Sequence, residues 1–254
     1  GNLYGAIEFY KKAKARGINP IIGVEMYLAY EGMRDKRPGI DSRRYHLTLL
    51  ATNFEGYKNL IKIVSAGHLE GFYYKPRVDK NFLRGHSRGI IALSGCLNGE
   101  IPRAIQSKRI DHAERLISEY QDIFGKENFY LEIAPHFAVP AQKVVNDALV
   151  GLGEKAGAKI VATGDIHYVQ PEDTDVQDIM VSIQTGSAID DEDRLTMRAA
   201  DLSMHSGKEM ATFFPNHPDA IAHTQEIAAR AAIEIPLGRW TFPELDIPPS
   251  TTAE

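Results

Sequence analysis

An aspartate and a histidine two residues apart follow a predicted buried strand in the second half of the chain. The motif Gly164-Asp165-Ile166-His167 comes directly after the apolar pattern AKIVAT. In parallel α/β folds, functional groups gather where strands end. A carboxylate and an imidazole at this spacing are ordinary metal ligands. The motif therefore predicts a metal site, and the alternative is an aspartate turn beside a surface histidine.

Two further residues are candidate ligands because of their place in the predicted strands. Glu25 lies inside the apolar segment PIIGVEMYLAY, and glutamate is almost never fully buried unless it is paired or binds a metal. The alternative for Glu25 is an edge strand that turns it toward water. Cys96 follows the short strand GIIAL. Its place just past a strand end makes it a candidate ligand, although a lone cysteine is usually a small core residue.

The histidines other than His167 give weaker signals. His46 stands near the start of the predicted strand YHLTLLA. In a parallel sheet the start of a strand faces the rim opposite to the strand ends, so the residues alone indicate a structural histidine. His136 also follows a predicted strand, so both a ligand role and a structural role are kept for it. The remaining histidines fall in helices or loops and are interpreted as solvated or structural: His68, His86, His112, His205, His217 and His223.

A loop between the second and third predicted strands mixes cations with aromatic rings. The segment FYYKPRVDKN contains Tyr74, Lys75 and Arg77. Rings that stack on bases and cations that hold phosphate are typical of nucleic-acid contacts. The segment therefore predicts a DNA or phosphate contact, and the alternative is an ordinary exposed loop.

The totals limit the class of protein. The chain has 254 residues, of which 43% are hydrophobic and 25% are charged, as in globular proteins. Its formal net charge is -5, so any DNA contact must be local, or shared with a partner or a missing region. The single cysteine excludes an internal disulfide and favours a reducing, cytoplasmic location. No apolar run of 18 residues occurs, and the sequence therefore predicts no membrane span.

Strand and helix patterns alternate along most of the chain, which predicts an α/β fold with a parallel sheet or barrel. Five strands are recognisable, and none precedes the first helix at 3–16. The sheet is then either small and open or a barrel that lacks its first strands. The start at Gly1 without a methionine indicates a piece of a larger protein. Residues 171–215 are predicted to form loops and short helices, 219–232 an alanine-rich helix, and 236–254 a proline-rich linker.

Several long segments resemble the polymerase and histidinol phosphatase (PHP) domain of bacterial DNA polymerase III alpha subunits. The resemblance implies a distorted seven-stranded β/α barrel over 1–235, with its first strands missing here, and an entrance to the polymerase palm region over 236–254. The matching segments are GNLYGAIEFYKKAKARGINPIIGVEMY, YHLTLLATNFEGYKNLIKIVS, LEGFYYKPRVDK, GIIALSGCLNGEIPRAI and IVATGDIHYVQPEDTDVQDIMVSIQTG.

The resemblance also implies a ligand set for zinc or manganese, with up to three ions in a complete site. It changes the interpretation of His46 from a structural residue to a ligand. The family's other ligands, a His-X-His, an acidic residue and an Asp-His, would precede Gly1, so the site here is partial. The implied ligands in this chain are Glu25, His46, Cys96, Asp165 and His167.

For function, the resemblance implies DNA replication by a nucleotidyltransferase whose PHP domain is a metal-dependent 3′–5′ proofreading exonuclease. This piece alone is expected to be inactive. One alternative is a non-catalytic module that supports the polymerase and docks a separate exonuclease subunit, and another is a free-standing PHP phosphoesterase. The implied partners are DNA, the proofreading exonuclease subunit, the sliding clamp and the clamp loader.

Overall fold

The computed structural model describes residues 1–238, and within them the chain forms six strands, nine α-helices and two short 3-10 helices at Lys126–Asn128 and Pro171–Asp173. The strands are β1 Gly23–Ala29, β2 Arg44–Ala51, β3 Arg77–Val78, β4 Ile90–Leu93, β5 Phe129–Ile133 and β6 Lys159–Ala162. The helices are α1 Ala6–Lys14, α2 Phe54–Leu69, α3 Lys80–Arg84, α4 Glu100–Gln106, α5 Ile110–Phe124, α6 Pro140–Ala156, α7 Thr174–Thr185, α8 Gly207–Phe213 and α9 Pro218–Arg230.

The six strands form one mixed sheet in the order β3-β1-β2-β4-β5-β6. The expectation of a parallel sheet is wrong for β2, which runs antiparallel to both β1 and β4. The connection from β1 to β2 contains no helix, and a strand that returns without a helical crossover pairs antiparallel. As a result, β2 begins at the rim where the five other strands end.

Residues 1–238 form an open sheet, as either a small open sheet or a seven-stranded barrel without its first strands would require. β3 and β6 are the two edges of the sheet, and they do not pair with each other. The α/β class is therefore confirmed with six strands in one mixed sheet, and the seven-stranded barrel stays a prediction. Of the predicted linker at 236–254, residues 239–254 lie outside the described part of the chain, so the predicted domain boundary stays a prediction.

Each face of the sheet packs against a different set of residues because side chains alternate along a strand. One face buries the larger core, in which Met26, Leu49 and Leu131 pack under the helices α2, α4, α5 and α6. The opposite face has a smaller core that includes Tyr130 and Ile227 of α9. This second face carries Glu25 and His46, so the helices leave the candidate ligands uncovered.

Helix α9 covers the smaller core at the end where β5 and β6 begin. The Glu226 carboxylate accepts hydrogen bonds from the Tyr130 hydroxyl at 2.8 Å and from the Lys159 ammonium at 3.0 Å. The prediction of a helix at 219–232 is confirmed, with bounds of Pro218–Arg230. In the part of the chain that is described, no helix is both long enough and apolar enough to cross a membrane.

The predicted loop at 72–81 is partly wrong, and Arg77 is the reason. This segment contains the short strand β3, in which Val78 pairs with Leu28 of β1, and it ends in the first turn of α3. Arg77 is fully buried. Its guanidinium donates hydrogen bonds to four backbone carbonyls, those of Met33, Asp35, Asp41 and Gly71, at 2.5–3.1 Å.

These contacts contradict the prediction that Arg77 binds DNA phosphate. A guanidinium has five N–H donors and no acceptor, and Arg77 uses all three of its nitrogens inside the fold. It connects the 33–41 loop to the residues after α2 and so fixes the rim next to β1. Composition alone could not distinguish this buried role from an exposed one.

Replacement of Arg77 by alanine should destabilise the protein strongly, because four buried carbonyls would lose their donors. Each unsatisfied buried group costs about 1–3 kcal/mol, so we expect a loss of at least about 3 kcal/mol in the free energy of unfolding. Lys75→Ala, at an exposed neighbour, should change it by less than about 0.5 kcal/mol. Urea denaturation measures both, and equal effects of the two substitutions would contradict the structural role of Arg77.

Candidate metal centre

Glu25, His46 and Cys96 form the one compact group of possible metal ligands in residues 1–238. One ligand atom from each lies within 4.8 Å of the other two. The Sγ atom of Cys96 is 3.6 Å from Nδ1 of His46, and the Glu25 carboxylate is paired with the same nitrogen. The group therefore offers an oxygen, a nitrogen and a sulfur to one ion.

The direction of β2 explains how His46 joins this group. In the β1–β2 register, Tyr27 is opposite His46 and Glu25 is opposite Thr48. Glu25 and His46 are thus diagonal neighbours on the same face of an antiparallel pair, within reach of long side chains. The objection that a strand start faces the wrong rim does not apply, because β2 alone starts at that rim.

Gly95 allows Cys96 to approach His46. Its φ is +80°, a conformation that side chains with a Cβ rarely adopt, and a Cβ at this position would lie 2.8 Å from the His46 carbonyl oxygen. The amide of His46 donates to the Asn98 carbonyl at 3.0 Å. The turn after β4 is therefore held directly against the start of β2.

The charges in this group favour a cation. Burial lowers the pKa of His46, but hydrogen bonds to Cys96 and Glu25 outweigh burial and raise that pKa to about 10. The hydrogen bond to His46 lowers the pKa of Glu25, and the charge of His167 lowers it further. The protonated imidazole thus balances the acidic groups beside it, and a divalent cation could provide the same balance.

Asp165 and His167 lie together after β6. The Nδ1 atom of His167 is 2.6 Å from the Asp165 carbonyl oxygen. Because a carbonyl can only accept, Nδ1 must donate, and Nε2 remains free to bind a metal. This is the arrangement that orients metal-binding histidines in proteins. Asp165 has a φ of +46°, and such strained positions cluster at functional sites.

The structure therefore divides the five predicted ligands into a compact group of three and a separate pair. Both sets lie on the rim where most strands end, and the charge of His167 reaches Glu25. Nitrogen, sulfur and carboxylate donors match the ligand preferences of zinc, while a set of His and carboxylate ligands also suits manganese. The residues present fit a metal centre.

Sequence reasoning missed Glu132, which lies in β5 between the strands that precede Cys96 and Asp165. Its Oε1 atom accepts a hydrogen bond from the Thr163 hydroxyl at 2.6 Å, while Oε2 is enclosed without a partner. Burial raises the pKa of Glu132 to about 7; the charges of Asp165 and Glu25 add to the rise, against the effect of Thr163. The available signal, an acid inside the apolar strand FYLEI, is the same as for Glu25.

His136, which the sequence left open, is buried after β5, and neither ring nitrogen has a hydrogen-bond partner. Burial lowers its pKa, and the charge of Asp165 acts against that shift. His136 is therefore near the Asp165–His167 pair. Of the predicted phosphate contacts, Tyr74 and Lys75 are exposed, and their role stays a prediction.

Comparison with known proteins shows the family to which the chain belongs. The family described as "PHP domain" matches residues 1–136, which is more than half of the chain. The chain belongs to the PHP domain family. Its matched part contains Glu25, His46 and Cys96, whereas Asp165 and His167 follow it.

Alignments with relatives cover nearly all of this PHP domain chain. Each of the following is named DNA polymerase III subunit alpha: a Thermus aquaticus protein, 41% identical over 99% of this chain; a Borreliella burgdorferi protein, 43% identical over 91%; and a Treponema pallidum protein, 37% identical over 98%. The alignments cover 20–21% of these relatives. The PHP domain chain thus spans about a fifth of the length of the curated relatives that it matches.

The pKa of Glu132 predicts a pH dependence of stability in metal-free protein. Because this pKa rises from 4.5 to about 7 on folding, the folded state keeps a proton that the unfolded state has lost. Stability should therefore fall as the pH rises from about 4.5 to 7, by about 3 kcal/mol in total. Glu132→Gln, which cannot ionise, should remove this loss and make the protein more stable than the unchanged chain at pH 8.

Urea denaturation in EDTA at pH 5 and pH 8 measures this difference. The matched control is Glu8→Gln, at an exposed carboxylate on α1, which should leave the pH dependence unchanged. A Glu132→Gln protein with the same pH dependence as the unchanged chain would show that Glu132 is not the titrating group.

Proposed function

We propose that this chain is the PHP domain of a replicative DNA polymerase III alpha subunit and that its rim binds metal ions for 3′–5′ hydrolysis of DNA. The observation that supports this most directly is the compact group of Glu25, His46 and Cys96, whose ligand atoms lie within 4.8 Å of one another. The relatives named DNA polymerase III subunit alpha support the replicative role. The whole protein would be a nucleotidyltransferase in the cytoplasm.

In this proposal the chain's own residues hold and orient the reacting groups. Glu25, His46 and Cys96 would hold one ion, for which the thiolate favours zinc over manganese, and Asp165 with His167 Nε2 would hold another. Bound ions of this kind lower the pKa of a water and neutralise charge on phosphoryl oxygens. The complete centre would hold up to three ions, with ligands from residues before Gly1, and this chain alone would be inactive.

The proposed partners follow from the replicative role. DNA would be the substrate, and exposed Tyr74 and Lys75 would contact it near the rim. The proofreading exonuclease subunit, the sliding clamp and the clamp loader would bind through the whole polymerase chain. A free-standing phosphoesterase is less well supported, because relatives that match over nearly all of this chain are polymerase subunits.

Cys96→Ser and Asp165→Asn test the catalytic proposal in the full natural polypeptide. Each should reduce bound metal and lower 3′–5′ hydrolysis of a labelled single-stranded oligonucleotide by about 100-fold or more, since a metal-activated water is lost. DNA synthesis on a primed template should continue. Metal content by mass spectrometry and gel analysis of the oligonucleotide measure the two effects.

The matched control is Asp147→Asn, at a surface carboxylate that pairs with Lys143 on α6. It should leave metal content and hydrolysis unchanged. Hydrolysis that persists at its full rate after the metal is lost would refute the proposal, as would an unchanged protein that binds metal but hydrolyses no DNA.

A structural role in bracing the polymerase is the second candidate, and the outer face of α7 favours it. Four apolar side chains at helical spacing are exposed there, namely Val176, Ile179, Met180 and Ile183. The inner face of α7 is fixed because buried Asp178 accepts hydrogen bonds from Arg194 and Arg198. An exposed apolar stripe on a helix that is held in place is typical of a protein contact surface. We propose that the rest of the polymerase chain covers it.

Ile179→Lys combined with Ile183→Lys should loosen this contact in the full natural polypeptide. We expect faster cleavage by a protease between the PHP domain and the rest of the chain, with unchanged metal content. The control Val144→Lys changes an equally exposed apolar residue on α6 and should have no effect. Identical cleavage rates in all three proteins would contradict the bracing role of α7.

A further inference from the structure

Four arginines surround one cavity beside His46. The cavity has a volume of ≈ 690 Å³. Arg43 and Arg44 enter it from the start of β2, Arg103 from α4, and Arg109 from the residue before α5. Three separate parts of the chain thus direct positive charge to one place, which we call the arginine groove.

None of the four has a carboxylate partner within residues 1–238, in a chain whose net charge is -5. Of the ten other arginines in the same residues, six pair with carboxylates: Arg34, Arg37, Arg88, Arg194, Arg198 and Arg230. Like charges that converge repel one another. Their convergence without acidic partners therefore points to an anionic ligand.

Several groove side chains are already held in place. Arg103 donates to the Asn98 side chain at 2.5 Å, and Arg44 donates to the Ser42 carbonyl at 3.0 Å. Each bond uses one nitrogen and leaves the other terminal nitrogen of that guanidinium for a ligand. An arginine fork matches the geometry of phosphate, with two donors to two oxygens. The groove therefore suits phosphate better than a simple halide.

Two tyrosines add surfaces for stacking. Tyr30 and Tyr45 have ring centroids 6.4 Å apart, and the Arg43 guanidinium lies 4.2 Å from the Tyr30 centroid. Burial raises the pKa of Tyr45 and the charge of Glu100 adds to that rise, while the charges of Arg109 and Arg43 act against it, so both arginines lie in the neighbourhood of Tyr45. Rings beside phosphate-binding cations are typical of single-strand binding.

The position of His46 connects the groove to the metal centre. His46 lines the groove, and its Nδ1 atom contacts Glu25 and Cys96. A strand in the groove would therefore have one end at the ligand group. Only unpaired bases can stack on Tyr30 and Tyr45, since the bases of a duplex are already stacked within it.

We propose that the arginine groove binds single-stranded DNA, with the four arginines on its phosphates and the two tyrosines against its bases, and delivers the strand end to His46. This inference rests on the proposed exonuclease function and names the path of its substrate.

The test is fluorescence anisotropy with a labelled oligo-dT of about 12 nucleotides, within the usual site size. The protein is the full natural polypeptide in EDTA, so that binding does not depend on metal. Arg43→Ala with Arg109→Ala should weaken binding at least tenfold. It should also reduce the slope of log affinity against log salt by about 1.4, because each single-strand phosphate contact contributes about 0.7.

The matched control is Arg34→Ala with Arg88→Ala, which removes the same charge from two exposed arginines that have carboxylate partners. It should leave both affinity and slope unchanged. Tyr30→Ala should weaken oligo-dT binding about fivefold or more. Affinity for a primed duplex, measured in parallel, should be the same in all variants, and thermal melting confirms that each is folded.

Equal losses of oligo-dT affinity in the groove variant and in the control would overturn the inference, as would unchanged oligo-dT binding in the groove variant. An equal loss of duplex binding, or displacement of oligo-dT by inorganic phosphate at the same concentration, would also overturn it.

Two outcomes separate this inference from the exonuclease proposal. If the groove variant binds oligo-dT weakly while the unchanged protein with metal hydrolyses no DNA, DNA binding in the groove is upheld and the exonuclease proposal fails. If hydrolysis requires metal but is unaffected in the groove variant, the exonuclease proposal is upheld and the proposal that the groove delivers the strand fails.

Discussion

The candidate site depends on the direction of a single strand. β2 runs against both of its neighbours, so its first residues lie beside the last residues of β1 and beside the turn that follows β4. That reversal brings His46 to Glu25 and Cys96 and places Arg43 and Arg44 at the edge of the same site. In an all-parallel sheet, these residues would lie at the opposite rim, and neither the ligand group nor the arginine groove could form.

Opposite charges are separated along this rim in a way that suits a phosphodiester substrate. Burial raises the pKa of Glu132 to about 7, and the charges of Asp165 and of Glu25 in the ligand group add to that rise. Cations are needed to balance such a concentration of negative charge. His46 also lines the arginine groove, whose arginines would hold phosphate without pairing with the carboxylate of the ligand group.

Local patterns were sufficient to predict most of the fold. α5 occupies Ile110–Phe124, as predicted, and the five predicted strands are all present within a few residues of their expected bounds. β3 was missed because two residues give no periodic signal. The direction of β2 was missed because it depends on the path of the 30–43 segment, and Arg77 because a basic, aromatic segment has the same composition whether its arginine is exposed or buried.

The candidate site could be predicted from the sequence less completely than the fold. Asp165 and His167 could be predicted from a strand followed by a short motif, since both come from one segment. Glu25 and Glu132 have the same signal, an acid in an apolar strand, and only the folded structure places Glu25 beside His46 and Cys96 and places Glu132 near Asp165 and Glu25. The arginine groove had no signal at all, because Arg44, Arg103 and Arg109 come together only when β2 packs against the turn before α4. Chemistry within one segment can be read from sequence, whereas chemistry shared between segments requires the register and direction of the strands.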